Sequence, residues 1–271
     1  MFSIPPLCSI TLRFQYGGCG ILPVFKNPDY LAEIKRLKLR TTHSASGNGV
    51  ARTLEFINTA GMKVCFERVV LEEEKRKVVD EGEEDGYWSP VQESENSTYN
   101  ADLLDSLRNL DGGSVEILCI DGYALQDVGK ASMESLRDAL GFRNLRTLIL
   151  SATTVWSCLW PLLGDLDASD HGRWFLPIST LIIHTGPDRS GLYGEVLAPL
   201  ISAAMKREAV GFPFSSVSLF LPWRWNMVDE LKRYVGRLEV VTGDDALDWD
   251  VDKYFLDGLE HLQKGQNVQW D

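Results

Sequence analysis

Long apolar runs are missing from this sequence. Its longest stretch without a charged residue, Thr147 to Gly164, is interrupted by Ser151, Thr153, Thr154, Ser157 and Pro161, whereas a membrane-crossing helix needs about 20 mostly apolar residues. No helical span and no membrane partner are expected. Met1 to Leu12 has no basic flank and carries Pro5 and Pro6, so it does not read as a secretory signal. Cysteine is sparse: Cys8, Cys19, Cys65, Cys119 and Cys158 are odd in number, scattered and mostly within apolar runs. That usage suits small buried residues in a reducing compartment better than a disulfide framework. The expectation is an intracellular protein, cytoplasmic or nuclear.

Histidine is scarce as well, and His43, His171, His184 and His261 have no second histidine or cysteine at metal-ligand spacing. No metal and no cofactor are expected. Gly112-Gly113-Ser114-Val115-Glu116 lacks the second glycine of a hydrolase elbow and reads as a helix-to-strand turn. Gly47-Asn48-Gly49 follows a strand and opens a helix in this reading, but Arg52 replaces the third glycine of a dinucleotide fingerprint. Asp248-Trp249-Asp250-Val251-Asp252 fails as a calcium loop, because its sixth position is Lys253 rather than glycine and its twelfth is Leu259 rather than glutamate. It reads instead as solvated acids alternating with packed Trp249 and Val251. No catalytic residue is assigned, and the expected function is non-catalytic.

What is present describes a globular chain. Its 271 residues are 44% hydrophobic and 24% charged, enough for one large core or two modest ones. The formal charge of -12 is concentrated in two places. Ten acidic and three basic residues lie between Glu72 and Glu95, and eight acidic and two basic between Asp244 and Asp271. The remainder is close to neutral, and no nucleic-acid partner is expected.

An apolar-x-x-apolar-x-apolar pattern recurs at Leu7-Ile10-Leu12, Ile34-Leu37-Leu39, Phe66-Val69-Leu71, Val115-Leu118-Ile120, Leu145-Leu148-Leu150, Ile178-Leu181-Ile183 and Phe214-Val217-Leu219, with a weaker case at Val235-Leu238-Val240. Between these cores lie segments with helical spacing: Leu103, Leu104, Leu107 and Leu110; Met133, Leu136 and Leu140; and Leu192 through Met205. Gly141 and Gly211 stand where left-handed helix caps belong. Strand and helix therefore alternate, which implies parallel strands joined by crossovers. One unit buries too little to stand alone, whereas stacked units share a core.

The cores, such as Leu145-Arg-Thr-Leu148-Ile-Leu150, resemble leucine-rich repeats. Their irregular spacing and the close of the chain through Val240 into the acidic Asp244–Asp250 stretch resemble the repeat regions of fungal F-box leucine-rich-repeat proteins. The resemblance runs from about residue 30 onward. It implies an α/β fold, an irregular leucine-rich-repeat solenoid of parallel strands and helices, over 1–243, with residues 72–100 as an acidic disordered insertion and 244–271 as an acidic C-terminal capping segment. It also implies the substrate-recognition part of an F-box-type ubiquitin ligase adaptor, with ligase core subunits as partners where an F-box equivalent exists. The asparagine of regular repeats is replaced by Gln15, Thr42, Glu74, Tyr123, Thr153, Gly186, Pro222 and Gly243. None of Leu22-Pro23, Leu176-Pro177 or Leu221-Pro222 opens an F-box.

Strand alternation places the residues between the anchors on the outer sheet face. That puts Arg13, then Arg36, Lys38 and Arg40, then Arg68, on a basic end, and Ile149, Ile182, His184 and Phe220 farther along. Such a face fits a protein target with acidic and aliphatic residues. His184 reads as a surface histidine. The acidic Glu72–Glu95 loop, leaving the strand that carries Arg68, is positioned to fold over the basic patch and compete with a ligand. The alternative has Arg36, Lys38 and Arg40 on a solvated edge and Ile117, Ile149 and Ile182 buried, with the sheet covered on both faces. That describes a layered α/β domain, and an enzyme of unknown reaction. Strands in strict chain order favour the solenoid, and a reversal of order favours the layered sheet.

Overall fold

The computed structural model describes residues 9–14, 34–43, 49–58, 63–71, 114–122, 143–151, 163, 178–185, 193–222 and 228–257. The candidate helices around Leu103–Leu110 and Met133–Leu140, Gly141 and the acidic stretch 72–100 lie outside these residues. Nine strands are described: Ser9–Phe14 (β1), Ile34–His43 (β2), Gly49–Asn58 (β3), Lys63–Leu71 (β4), Ile117–Gly122 (β5), Thr147–Ser151 (β6), Thr180–His184 (β7), Ser216–Leu221 (β8) and Leu238–Thr242 (β9). The helices among the described residues are Tyr193–Ala209 (α1), Val228–Leu231 (α2), Asp244–Leu247 (α3) and Val251–Asp257 (α4). The fold is mixed α/β, built on one mostly parallel sheet. Among the described residues no helix is long and apolar enough to cross a membrane.

The strand order is β1-β4-β3-β2-β5-β6-β7-β8-β9. From β2 through β5 to β9 neighbours follow the chain and pair in parallel. The order reverses at β2, because β3 returns antiparallel beside it and β4 antiparallel beside β3, leaving β1 to pair in parallel with β4. The strict chain order expected of a solenoid is therefore confined to one side of the sheet. Gly49, the last residue of Gly47-Asn48-Gly49, opens the strand β3, not a helix, which removes the context a dinucleotide fingerprint requires.

The anchors explain the inner face. Leu37, Leu118, Leu148, Leu181, Val217 and Leu238 form one row across six strands, and Leu39, Ile120, Leu150, Ile183, Leu219 and Val240 form another. All are buried except the last of each row, on the edge strand β9, which are half-buried. The first anchors Ile34, Val115, Leu145, Ile178 and Phe214 are buried too. Immediately after them the backbone repeats one motif: Arg146 and Thr147 both donate to the Glu116 carbonyl, Ser179 and Thr180 to Arg146, and Ser215 and Ser216 to Ser179.

α1 forms because Leu197, Leu200, Ile201 and Ala204 recur at helical spacing, and all four are buried. It ends at Gly211, whose φ of 82° only glycine adopts cheaply. There the Phe212 N–H donates to the Arg207 carbonyl at 2.9 Å and the Gly211 N–H to the Glu208 carbonyl at 3.0 Å, the paired bonds of a Schellman cap. Arg207 is itself buried. Its guanidinium donates to the Ile178 carbonyl at 2.6 Å and lies 4.4 Å from the Phe214 ring centroid, tying the helix to two first anchors.

Candidate functional site

The strand register assembles the outer face. One row runs Arg13, Glu67, Thr53, Arg40, Asp121, Ser151, His184, Phe220, Val241. Two residues away in each strand runs Thr11, Cys65, Glu55, Lys38, Cys119, Ile149, Ile182, Ser218, Glu239. Arg36 lies in the next row, between Ile57 and Ile117. Eight of the nine candidate residues thus occupy positions on one face. Arg68 does not, because it pairs with Arg52 and Phe14, one residue out of step with the Arg40 row. The regular strand β4 carries no break that would let Phe66 and Val69 share a face, so the repeat pattern misassigns its register. The side chains of Arg13 and Arg68 lie outside the described residues.

This face is covered. Ile117, Cys119, Ile149, Ile182 and Phe220 form a buried cluster with Ala246, Val251 and Phe255 of the C-terminal segment, and Val241, Trp249 and Tyr254 pack against it. Trp249 stacks on Phe220 with ring centroids 4.6 Å apart and sits 5.1 Å from His184 and 5.6 Å from Tyr254. The sheet centre is therefore buried on both faces, as β5 and β6 show at every position. The C-terminal segment reaches from β9 across to β2, well beyond the last strand.

Charge fixes its far end. Lys38 is fully buried, and its ammonium pairs with Asp252 and lies 3.6 Å from Asp121. Arg40 donates to Asp121 at 2.6 Å and to Asp252 at 2.9 Å. Two cations and two carboxylates thus balance, as burial demands. Lys38 also lies 5.8 Å from the Phe255 ring centroid. Arg36 donates to the Phe255 carbonyl at 2.8 Å, near the carboxyl end of α4 where the helix dipole favours a cation. At the other end the Asp252 N–H donates to the Asp250 carboxylate at 2.8 Å, so Asp250 caps the helix. Arg36, Lys38 and Arg40 are not a solvated edge, and Asp252 is not simply a solvated acid.

Burial works to raise the Asp252 pKa, but Lys38 and Arg40 outweigh it and hold the carboxyl below its ordinary range. Burial likewise works to lower Arg40, and the carboxylates of Asp121 and Asp252 overcome it, keeping the guanidinium charged. His184 is half-buried beneath Trp249, correcting its reading as a surface histidine. Burial lowers its pKa more than Asp121 and the Ala246 backbone raise it, so the neutral ring is favoured. Its Nδ1 stands 3.3 Å from Ser151 Oγ. Burial pushes the Cys119 thiol well up, which keeps it protonated and unreactive. No metal-holding group of three or more ligating side chains occurs among the described residues.

Asp252, Val251 and Phe255 are the contributors that sequence reasoning leaves out of this face. Their spacing is available as a signal, because Val251 and Phe255 stand one helical turn apart behind an Asp cap. Which face they cover is not. The expected competitor, the Glu72–Glu95 loop, lies outside the described residues, and the acid that meets Lys38 and Arg40 comes from the opposite end of the chain. Searches against family models, curated proteins and solved structures find no match.

Proposed function

We propose that this chain is a non-catalytic protein-interaction module, related in plan to the substrate-recognition half of fungal F-box leucine-rich-repeat proteins. The observation that carries the reading is the outer face itself: a basic strand joined to an apolar surface and holding an acidic, aromatic stretch of polypeptide. A face that accommodates one such segment has the chemistry to recognise others. The repeat reading is supported by the carbonyl motif that recurs after successive first anchors, from Glu116 to Arg146 to Ser179. On this reading the irregular leucine-rich-repeat solenoid is the stack of β2 and β5 to β9, with β1, β3 and β4 as a different cap.

Affinity purification of the intact protein from its native cells tests the proposal. Recovery of the linker subunit and cullin places the chain in a ligase adaptor. Recovery of other proteins without them leaves a stand-alone module. Recovery of no protein partner at any level above a control chain sinks the reading.

A layered α/β enzyme is the second reading, favoured by the reversal of strand order between β2 and β5. The carboxyl ends of strands at such a point form the usual crevice; here β5 bears Asp121, and Ser151 and His184 stand level with it on the next strands β6 and β7. A fluorophosphonate that labels the wild type and spares Ser151→Ala would support it. Equal labelling of both, or of neither, counts against a serine nucleophile.

A further inference from the structure

We infer that the covered outer face is a docking site for an acidic amphipathic helix of a partner protein, and that the chain's own α4 occupies it as a stand-in for that helix. This inference rests on the protein-interaction reading and names the class of ligand. The recognition pattern is an apolar residue, an acid, one position of any kind and two aromatic residues, as in Val251-Asp252-Lys253-Tyr254-Phe255. The acid meets Lys38 and Arg40, while the flanking apolar pair fills the surface over Ile117, Cys119, Ile149 and Ile182. Arg36 receives the helix at its carboxyl end.

Three observations argue for a face that exchanges occupants. Charge comes first. With α4 lifted away, Asp121 would be the one carboxylate left paired with Lys38 and Arg40 among the described residues, leaving one positive charge of the pair uncompensated beside an apolar patch. A carboxylate between apolar groups answers both features.

Fit comes second, because α4 is an imperfect occupant. Asp252 remains 41% exposed although its partner Lys38 is fully buried. Tyr254 Oη is buried with no hydrogen-bond partner among the described residues, a cost that a phenylalanine at this position would avoid. Connection comes third. The covering segment joins the sheet through Gly243, whose φ of 75° lies in glycine's own region, and none of the strand pairings runs through α3 or α4. It can lift without unpairing the sheet.

The probe is a fluorescein-labelled peptide of residues 244–257, offered to the full chain and to a full-length V251S/F255S variant whose own segment is loosened. The loosened chain is expected to bind the peptide about ten-fold or more tightly than the wild type, since it no longer competes with itself. Adding Lys38→Met to the loosened chain is expected to weaken binding by about ten-fold. A peptide carrying Tyr254→Phe is expected to bind more tightly, and a scrambled peptide of equal composition not to bind.

If the loosened chain keeps its far-ultraviolet circular dichroism yet does not bind the 244–257 peptide, or binds it and the scrambled peptide alike, the inference is overturned. Dimers formed by segment exchange, with the peptide excluded, would overturn it in favour of a second copy as occupant. Should the loosened chain fail to fold, amide exchange of the wild type decides. Residues 251–257 opening about ten-fold faster than β5 to β8 supports a displaceable segment, and equal protection overturns it. Partners captured from native cells whose binding ignores Lys38→Met and Arg40→Gln would leave the module reading standing and sink this one.

Discussion

Lys38 shows what burial does to a single charge. A lysine ammonium on a sheet strand normally reaches water along its flexible stem, but this one is sealed beneath α4 and depends on Asp252 and Asp121. The two partners of the main pair are unequal, because Asp252 retains access to solvent and Lys38 has none. Breaking a buried pair costs about 3–5 kcal/mol when the orphan stays buried. Partial exposure of the pair reduces that, so Asp252→Asn is expected to cost about 1–2 kcal/mol in urea denaturation. Lys38→Met leaves a carboxylate that water can reach, and is expected to cost less than Asp252→Asn.

The same residues set a pH response. Asp252 has a folded pKa below its ordinary 3.8, so its contribution is complete above about pH 4 and is lost as pH falls through the folded value. His184 has a folded pKa below its ordinary 6.5. The unfolded chain therefore takes up its proton first, and stability falls as pH drops below about 6.5. The two contributions share a sign. The urea midpoint is expected to decline as pH falls from 7 to about 3, with His184→Gln flattening the part of that decline above about pH 4 and Asp252→Asn the part below it.

Elements in this protein are held by close approach as much as by propensity. Gly236 precedes β9, and its N–H donates to the Phe214 carbonyl at 2.9 Å. A Cβ at that position would stand 2.8 Å from the Ser215 carbonyl oxygen, against rigid backbone. Gly236→Ala is therefore expected to lower the urea midpoint by an amount corresponding to about 1–3 kcal/mol, through displacement of β9.

The helix α1 is readable from the sequence, since its buried face and its Gly211 cap are both local signals. β3 is not, because it falls outside the repeat pattern. Its signal is nonetheless present in the sequence: the dipeptide Asn48-Gly49 is of the type favoured in hairpin loops, and Leu54 and Phe56 alternate with Thr53 and Glu55 to match β2. The misplacement of Arg68 has the opposite origin. A repeat pattern carried over from the other units is imposed there on a strand whose continuous antiparallel pairing sets a different register.

Across the whole molecule, burial grades from the middle of the sheet to its β9 edge. Leu148 lies in the interior with covered strands on either side, whereas Val240, its counterpart in the neighbouring row on β9, is half-buried. Leu148→Ala is expected to cost about 2–5 kcal/mol. Val240→Ala removes less buried surface and less packing, and is expected to cost well under half as much by the same measurement.

The anchor spacing by itself determined that Leu37 to Leu219 form an inner face and that Arg36, Lys38, Arg40, Ile149, Ile182 and Phe220 share the outer one, whereas the expected alternation of strand with helix fails at β2 to β4, which follow one another as antiparallel strands. The two faces follow from alternation within a strand, which is a local property. Only the tertiary structure decided what covers that outer face, because Asp252 and Lys38 are 214 residues apart, and no local pattern encodes a meeting at that separation. It also decided the reversal at β2, which depends on which edge offers unpaired backbone when β5 arrives. The charges were legible one by one. Their cancellation in a buried cluster required the chain's acidic end to return across the sheet to its basic beginning.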